Sequence, residues 1–302
     1  MRRLLLVLLL GSAAAAQAQA PSGPRQLDPS ATLDRLGIAL QEHSFEGVVV
    51  YARDGQLDAL RVRHLAGIGT DLVDRLTGPE LPLRRGAGVA QLGSGTPLGF
   101  EAAAAGAVAK LEPQNHYRFE QVGEDRVAGR PSEVVDLRAG DGLRYSRRYW
   151  IDRDTGLLLR AAVYGADGSL VEQWMFSSLE LGIEPSSPGA APSPAQTLRA
   201  PSATDIPRTR IQVVDLPAGF ALVSAAVDEE QEHLVFSDGL ARVSLFAQPL
   251  PDQAAVLSGH QRRGALSVFG RLFRGLQIVV VGEVPAATAE RFAQSVEPVR
   301  GG

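Results

Sequence analysis

The sequence predicts an α+β protein built mostly from antiparallel strands and divided into two domains of unequal size. Three observations predict it. Between residues 117 and 181, runs of alternating apolar and polar residues are broken at Gly140-Asp141-Gly142, at 152–156 and at Asp167-Gly168, the punctuation of an antiparallel meander. From 182 to 208 the chain turns rich in proline, serine and alanine, with few large apolar residues. Such a segment cannot bury enough surface to offset its conformational entropy and reads as a linker. The 302 residues also exceed the usual size of one domain.

The N-terminus opens with Arg2 and Arg3, an apolar run at 4–10 and a string of small residues. That order predicts a Sec signal peptide, cut after Ala18; the run is too short to cross about 30 Å of hydrocarbon. No cysteine follows it, so no lipid anchor is expected. Residues 27–181 then form the first domain. Its helix is expected over 31–43, with Ser30 as N-cap and Leu33, Leu36 and Leu40 on one face. A strand follows at 45–51, turning at Asp54-Gly55 and returning over 57–65. Gly78-Pro79 reads as a turn, and 87–112 is rich in glycine and alanine.

The second domain, 209–302, reads as a smaller α+β unit. Strands are expected at 221–227 and 233–237, a tight turn at Ser237-Asp238-Gly239, and a further strand at 240–247. The run 276–282 reads as a buried strand, and Pro285 opens a helix with a stripe of Ala289, Phe292, Ala293 and Val296.

Composition removes several functions. Loss of the signal peptide takes two arginines and lowers the formal charge from −4 to −6, so nothing draws the chain to nucleic acid. Without cysteine there are no disulfides, and each domain must be held by its own core. Lys110 is the only lysine. No catalytic constellation is legible: Gly93-Ser94-Gly95 lacks the nucleophile-elbow pattern, and Lys110 lacks a Walker loop. Asp152-x-Asp154-x-Gly156 lacks the later ligands of a calcium loop and reads as a turn. The five histidines stand apart, at no metal-ligand spacing. The chain is expected to be no enzyme and to carry no cofactor or metal.

Three features remain open on residues alone. Arg144, Arg147 and Arg148 interleave with Tyr145, Tyr149 and Trp150. On a strand, one face would meet the interior, and the other would offer guanidinium and aromatic surface to a carboxylate, a phosphate or a peptide, or merely cover the sheet edge. The acidic run 228–232 would serve solubility or face a basic partner. Leu272, Phe273 and Leu276, with Phe269 nearby, would be core, the favoured reading, or a docking patch.

Several strings are familiar together: Phe45-Glu46-Gly47-Val48-Val49-Val50-Tyr51; Arg126-Val127-Ala128-Gly129-Arg130; Tyr149-Trp150-Ile151-Asp152; Thr155-Gly156-Leu157-Leu158-Leu159; and, in the second domain, 233–246 and 278–285. In this order and spacing the chain resembles the MucB/RseB family of periplasmic regulators of sigma-E (AlgU-type) envelope-stress signalling. The resemblance covers most of the mature chain except the linker and 87–112, where the family's aromatic strand and proline turn are missing. It implies a first domain shaped as a half-open antiparallel β-barrel with helices on its concave side, similar to the lipoprotein-carrier fold. It further implies binding to the periplasmic domain of a membrane anti-sigma factor of the RseA/MucA type, shielding it from regulated proteolysis, and release when lipopolysaccharide or a lipoprotein acyl chain enters the cavity. A periplasmic lipid or lipoprotein carrier is the alternative, disfavoured by the second domain. The candidate partner residues are Arg147, Phe236, Ser237, Asp238 and Gly239. The candidate cavity residues, chosen by strand alternation, are Val48, Val50, Tyr149 and Ile151.

Overall fold

The computed structural model describes residues 23–66, 70–77, 115–183, 206–250 and 256–299. The signal-peptide reading, the Gly78-Pro79 turn, the 87–112 segment and most of the linker lie outside them.

A short strand β1 (Arg25–Gln26) leads into helix α1 (Pro29–Glu42). The cap is Asp28 and not Ser30: the Asp28 carboxylate accepts the amides of Ser30 and Ala31. The displacement has a simple cause. Pro29 supplies the preset φ of a first helical residue, so the cap moves to the carboxylate before it. Leu36 and Leu40 are buried as expected, joined by Ala39, and Leu33 packs at the margin.

Helix α1 lies on a nine-stranded antiparallel sheet. Its strands are β2 (Phe45–Arg53), β3 (Gln56–Leu65), β4 (Thr70–Arg75), β5 (Tyr117–Val127), β6 (Arg130–Ala139), β7 (Ser146–Asp152), β8 (Leu158–Tyr164) and β9 (Leu170–Leu181), with β1 at one edge. The order β1-β5-β6-β7-β8-β9-β2-β3-β4 joins two meanders through the β9–β2 pairing, and β1 and β4 remain as edges. Among the described residues the sheet is therefore open and not a closed barrel. The β9–β2 seam depends on Gly47: a Cβ there would lie 2.4 Å from the Ser178 carbonyl oxygen and 2.8 Å from the Phe176 ring. Phe176 packs edge-on against Phe45 and Trp174, and Phe45 stacks on His64, whose Nε2 contacts the Leu40 carbonyl at 2.7 Å. These contacts fasten α1 to the seam.

The remaining strands are β10 (Ile211–Val213), β11 (Ala221–Val227), β12 (Glu232–Ser237), β13 (Arg242–Pro249), β14 (Gly259–Arg263), β15 (Leu266–Phe273), β16 (Leu276–Gly282) and β17 (Val296–Pro298), with helix α2 (Ala286–Gln294) before the last. Six of them form a second sheet in the order β11-β12-β13-β16-β15-β14, and β10 pairs with β17. Helix α2 buries Ala289, Phe292 and Ala293 against Phe220 and Phe236. Phe269 joins this core and Phe273 and Leu276 pack at its margin, while Leu272 is half exposed, so the 269–276 stretch is mainly core. Among the described residues no helix is long and apolar enough to cross a membrane.

Candidate functional site at the junction of the two sheets

Several buried polar groups gather where the two sheets meet. Arg144 sits in the loop before β7, not on the strand, and is fully buried. Its Nε donates to Asp238 Oδ2 at 2.5 Å, its Nη1 to Asp141 Oδ2 at 2.5 Å, and its Nη2 to the Ala218 carbonyl. The guanidinium lies over the Phe220 ring, 4.9 Å from its centroid. Tyr117 donates its hydroxyl to the same Asp238 oxygen at 3.2 Å. A buried guanidinium is tolerable only with its donors satisfied, and this one reaches a carboxylate from each side of the junction and one carbonyl.

Asp238 is held in turn by its own loop. Its Oδ1 accepts the amides of Leu240 and Ala241, and Ser237 Oγ accepts the Gly239 amide while donating to the Ala241 carbonyl. Gly239 has φ of 102°, which explains glycine at the turn. Nearby, Thr288 of α2 donates to the Leu143 carbonyl at 2.9 Å. The His116 ring lies so close to Gly219 that a Cβ there would come 2.1 Å from Nε2.

A second group lies on strands β7 and β9. Arg147 donates to Glu283, just after β16, at 3.1 Å, and its Nε has no acceptor among the described residues. Beside it is a cavity of about 20 Å³, lined by Arg147, Tyr149, Val163, Trp174, Glu172 and Glu283 among others, with room for roughly one water. Glu172 accepts the Tyr51 hydroxyl and the Ala265 amide on one oxygen, each at 2.8 Å. Burial, with the nearby Glu283 charge, raises its carboxyl above the usual range, against the opposing effect of its hydrogen bonds and Arg147. Such an arrangement binds and orients two halves of a chain; it offers no nucleophile with a base.

Two of the candidate partner residues, Arg147 and Asp238, come to the junction. Arg147 reaches Glu283 across the junction and Asp238 reaches Arg144 and Tyr117, while Ser237 and Gly239 brace the turn behind Asp238 and Phe236 packs on Phe292 in the second core. All five are buried and not displayed as open surface. The candidate cavity residues divide. Tyr149 and Ile151 belong to the buried core of the first sheet, and Tyr149 also lines the small cavity. Val48 and Val50 lie on the opposite face, and Val50 pairs with the exposed Met175. That is a correction: Phe45, Val49 and Tyr51 set the inward phase of β2, and three consecutive valines concealed it.

Of the arginine and aromatic constellation, Arg148 faces outward and pairs with Asp136. Trp150 stacks under Arg160 and donates to Asp125. Sequence reasoning missed the junction roles of Tyr117, Glu172, Gly264, Ala265 and Glu283. Gly264 alone left a local trace, as a glycine after two arginines in an otherwise strand-like run.

Two family models match the chain: the MucB/RseB N-terminal domain over residues 28–201 and the MucB/RseB C-terminal domain over 206–297. The "Sigma factor AlgU regulatory protein MucB" of Pseudomonas aeruginosa is 32% identical over 317 residues, 99% of this chain and 98% of that protein. A crystal structure of MucB in complex with MucA(peri) covers 91% of this chain and 100% of its own, at 28% identity and a TM-score of 0.64. The structure of the Pseudomonas aeruginosa MucA/MucB complex covers 90% and 99%, at 29% identity and a TM-score of 0.65.

Proposed function

The chain belongs to the MucB/RseB family, and from that membership we propose that it is a periplasmic negative regulator of an envelope-stress sigma factor. It binds the periplasmic part of a membrane anti-sigma factor and shields it from the first regulated cut. Lipid or lipopolysaccharide entering the N-terminal domain releases the partner. The observation that carries this reading is the likeness, across nine-tenths of the chain, to MucB bound to MucA(peri).

In this reading residues 1–18 are a removed signal peptide, 27–181 a lipoprotein-carrier-like half-open sensor domain, 182–208 a linker and 209–302 the smaller domain. The mature protein is soluble in the periplasm. Arg147 and the 236–239 turn serve the partner by fixing the relative pose of the two domains. A partner that binds one pose more tightly shifts the balance between poses. A coupling of about 1–3 kcal/mol changes occupancy severalfold or more.

The test is calorimetric titration of the mature protein with the periplasmic domain of the anti-sigma factor from the same genome, repeated with lipopolysaccharide fragments. Binding at ~1 μM or tighter, weakened by lipid, is expected. Binding indifferent to lipid removes the sensing step. No binding, with lipid copurifying, makes the protein a carrier instead.

A further inference from the structure

The hairpin of β14 and β15 reaches out of the second sheet and into the first domain through its turn. The Gly264 amide donates to Asp54 Oδ2 at 2.8 Å, and the next amide, Ala265, to Glu172 Oε2 at 2.8 Å. Two consecutive backbone donors are thus captured by two carboxylates from separate strands' ends, and carboxylate acceptors make the stronger class of hydrogen bond. Gly264 has φ of 58°, and a Cβ there would lie 2.2 Å from Glu172 Oε2 and 3.4 Å from Arg53 side-chain carbons. The Ala265 methyl is fully buried with Tyr145 and Val163. The seat therefore fits a glycine followed by a small residue.

Glu172, which holds the turn, also lines the small cavity beside Arg147, Tyr149 and Trp174. Glu283, from the same side of the junction as the hairpin, closes that cavity by its bond to Arg147. On the turn, the small side chain of Ala265 joins the apolar cluster of Tyr145 and Val163, so withdrawal forfeits little hydrophobic stabilisation. What it exposes is different in kind: an apolar and aromatic wall beside the Arg147 guanidinium, whose Nε has no acceptor among the described residues.

We propose that the Gly264–Ala265 turn is an internal plug, which seals the Arg147–Tyr149–Trp174 interior when seated and opens it to an amphiphile with an anionic head when withdrawn. Seating and occupancy are mutually exclusive. The identity of the excluded molecule rests on the sensor reading above; the seating itself does not.

The chain has two tryptophans, so Trp150→Phe leaves Trp174 as the sole fluorescent reporter in the cavity wall. In that background, acrylamide quenching of Trp174 and binding of 1-anilinonaphthalene-8-sulfonate are compared between the parent, Gly264→Val and Asp54→Ala. The wedge in Gly264→Val is expected to raise both readings, by at least about threefold, through a shift of the seated population. Asp54→Ala, which removes one anchor and adds no bulk, moves both the same way by less, and stands alone if Gly264→Val does not fold. Trp174 equally protected in parent and variants overturns the plug, as does dye binding without increased quenching. Calorimetry with the anti-sigma domain, run on the same parent protein, separates the two ideas. Opening on plug removal without partner binding sinks the regulator and leaves the plug; partner binding with Trp174 unmoved does the reverse.

Discussion

Arg144 and Asp238, 94 residues apart in sequence, form an ion pair of 2.5 Å across the junction, with neither side chain reaching solvent. A pair so placed gains little over apolar residues of the same shape, yet it is costly to break, because the remaining charge stays buried. Asp238→Leu or Arg144→Met is therefore expected to destabilise the chain by about 3–5 kcal/mol, and the double variant to recover much of that loss. Urea denaturation of the four proteins measures it. Additive single effects would mean that the two groups do not act as a pair.

The seam between β9 and β2 gives a sterically defined prediction. Gly47→Ala places a methyl within 2.4 Å of the Ser178 carbonyl oxygen and 2.8 Å of the Phe176 ring. Backbone cannot yield as a side-chain tip does, so a loss of about 1–3 kcal/mol is expected, the cost of overpacking a core. The thermal midpoint reads it, and an unchanged midpoint would show that the seam has slack. Gly55→Ala is a useful contrast: among the described residues no atom stands within 4 Å of its Cβ, so its cost comes from the positive φ of 72°.

The amount of this architecture legible in the sequence follows the range of the forces that fix it. The turns at 140–142, 152–156 and 167–168 are local matters of glycine conformation and aspartate capping, and the strands fall between them. Asp152 serves its own turn: its Oδ2 accepts from Arg130 and from Thr155 inside the first sheet. The outward phase of Val48 and Val50 is hidden in the sequence because an unbroken valine run carries no alternation to read. The junction was illegible for a different reason. Glu172 meets Ala265 across 93 residues and Arg147 meets Glu283 across 136, and no spacing rule reaches that far.

Two carboxylates give opposite pH dependences. Asp136 is partly desolvated, which alone would raise its pKa, but hydrogen bonds and charge from Arg148 and Arg138 outweigh this and lower it. Its folded pKa lies below the unfolded value, so its stabilisation is present above about pH 3.9 and is lost as pH falls through the folded value. Glu172 is raised by burial, so the folded state holds its proton more tightly. Stability then declines as pH rises from about 4.3 through the folded value. Asp136→Asn is expected to flatten the acid side of a stability–pH curve, and Glu172→Gln the decline above it. Identical curve shapes in the two variants would contradict both assignments.

The acidic run after β11 separates into solvated and structural members. Asp228 and its neighbours Glu229 and Glu230 occupy an exposed turn, in which the Asp228 carboxylate accepts the amides of Glu230 and Gln231. Glu232 is only 1% exposed and accepts the Arg210 and Ile211 amides and the Arg210 guanidinium. Those amides begin β10, which β17 covers on its other side, so Glu232 fixes how the chain enters the second domain. Glu229→Gln with Glu230→Gln should leave the urea midpoint where it is. Glu232→Ala strands two backbone donors and is expected to cost about 1–3 kcal/mol, with the loss seen first as faster amide exchange in β10 and β17. Equal sensitivity at all three positions would mean that net charge, not this one buried carboxylate, is what the run contributes.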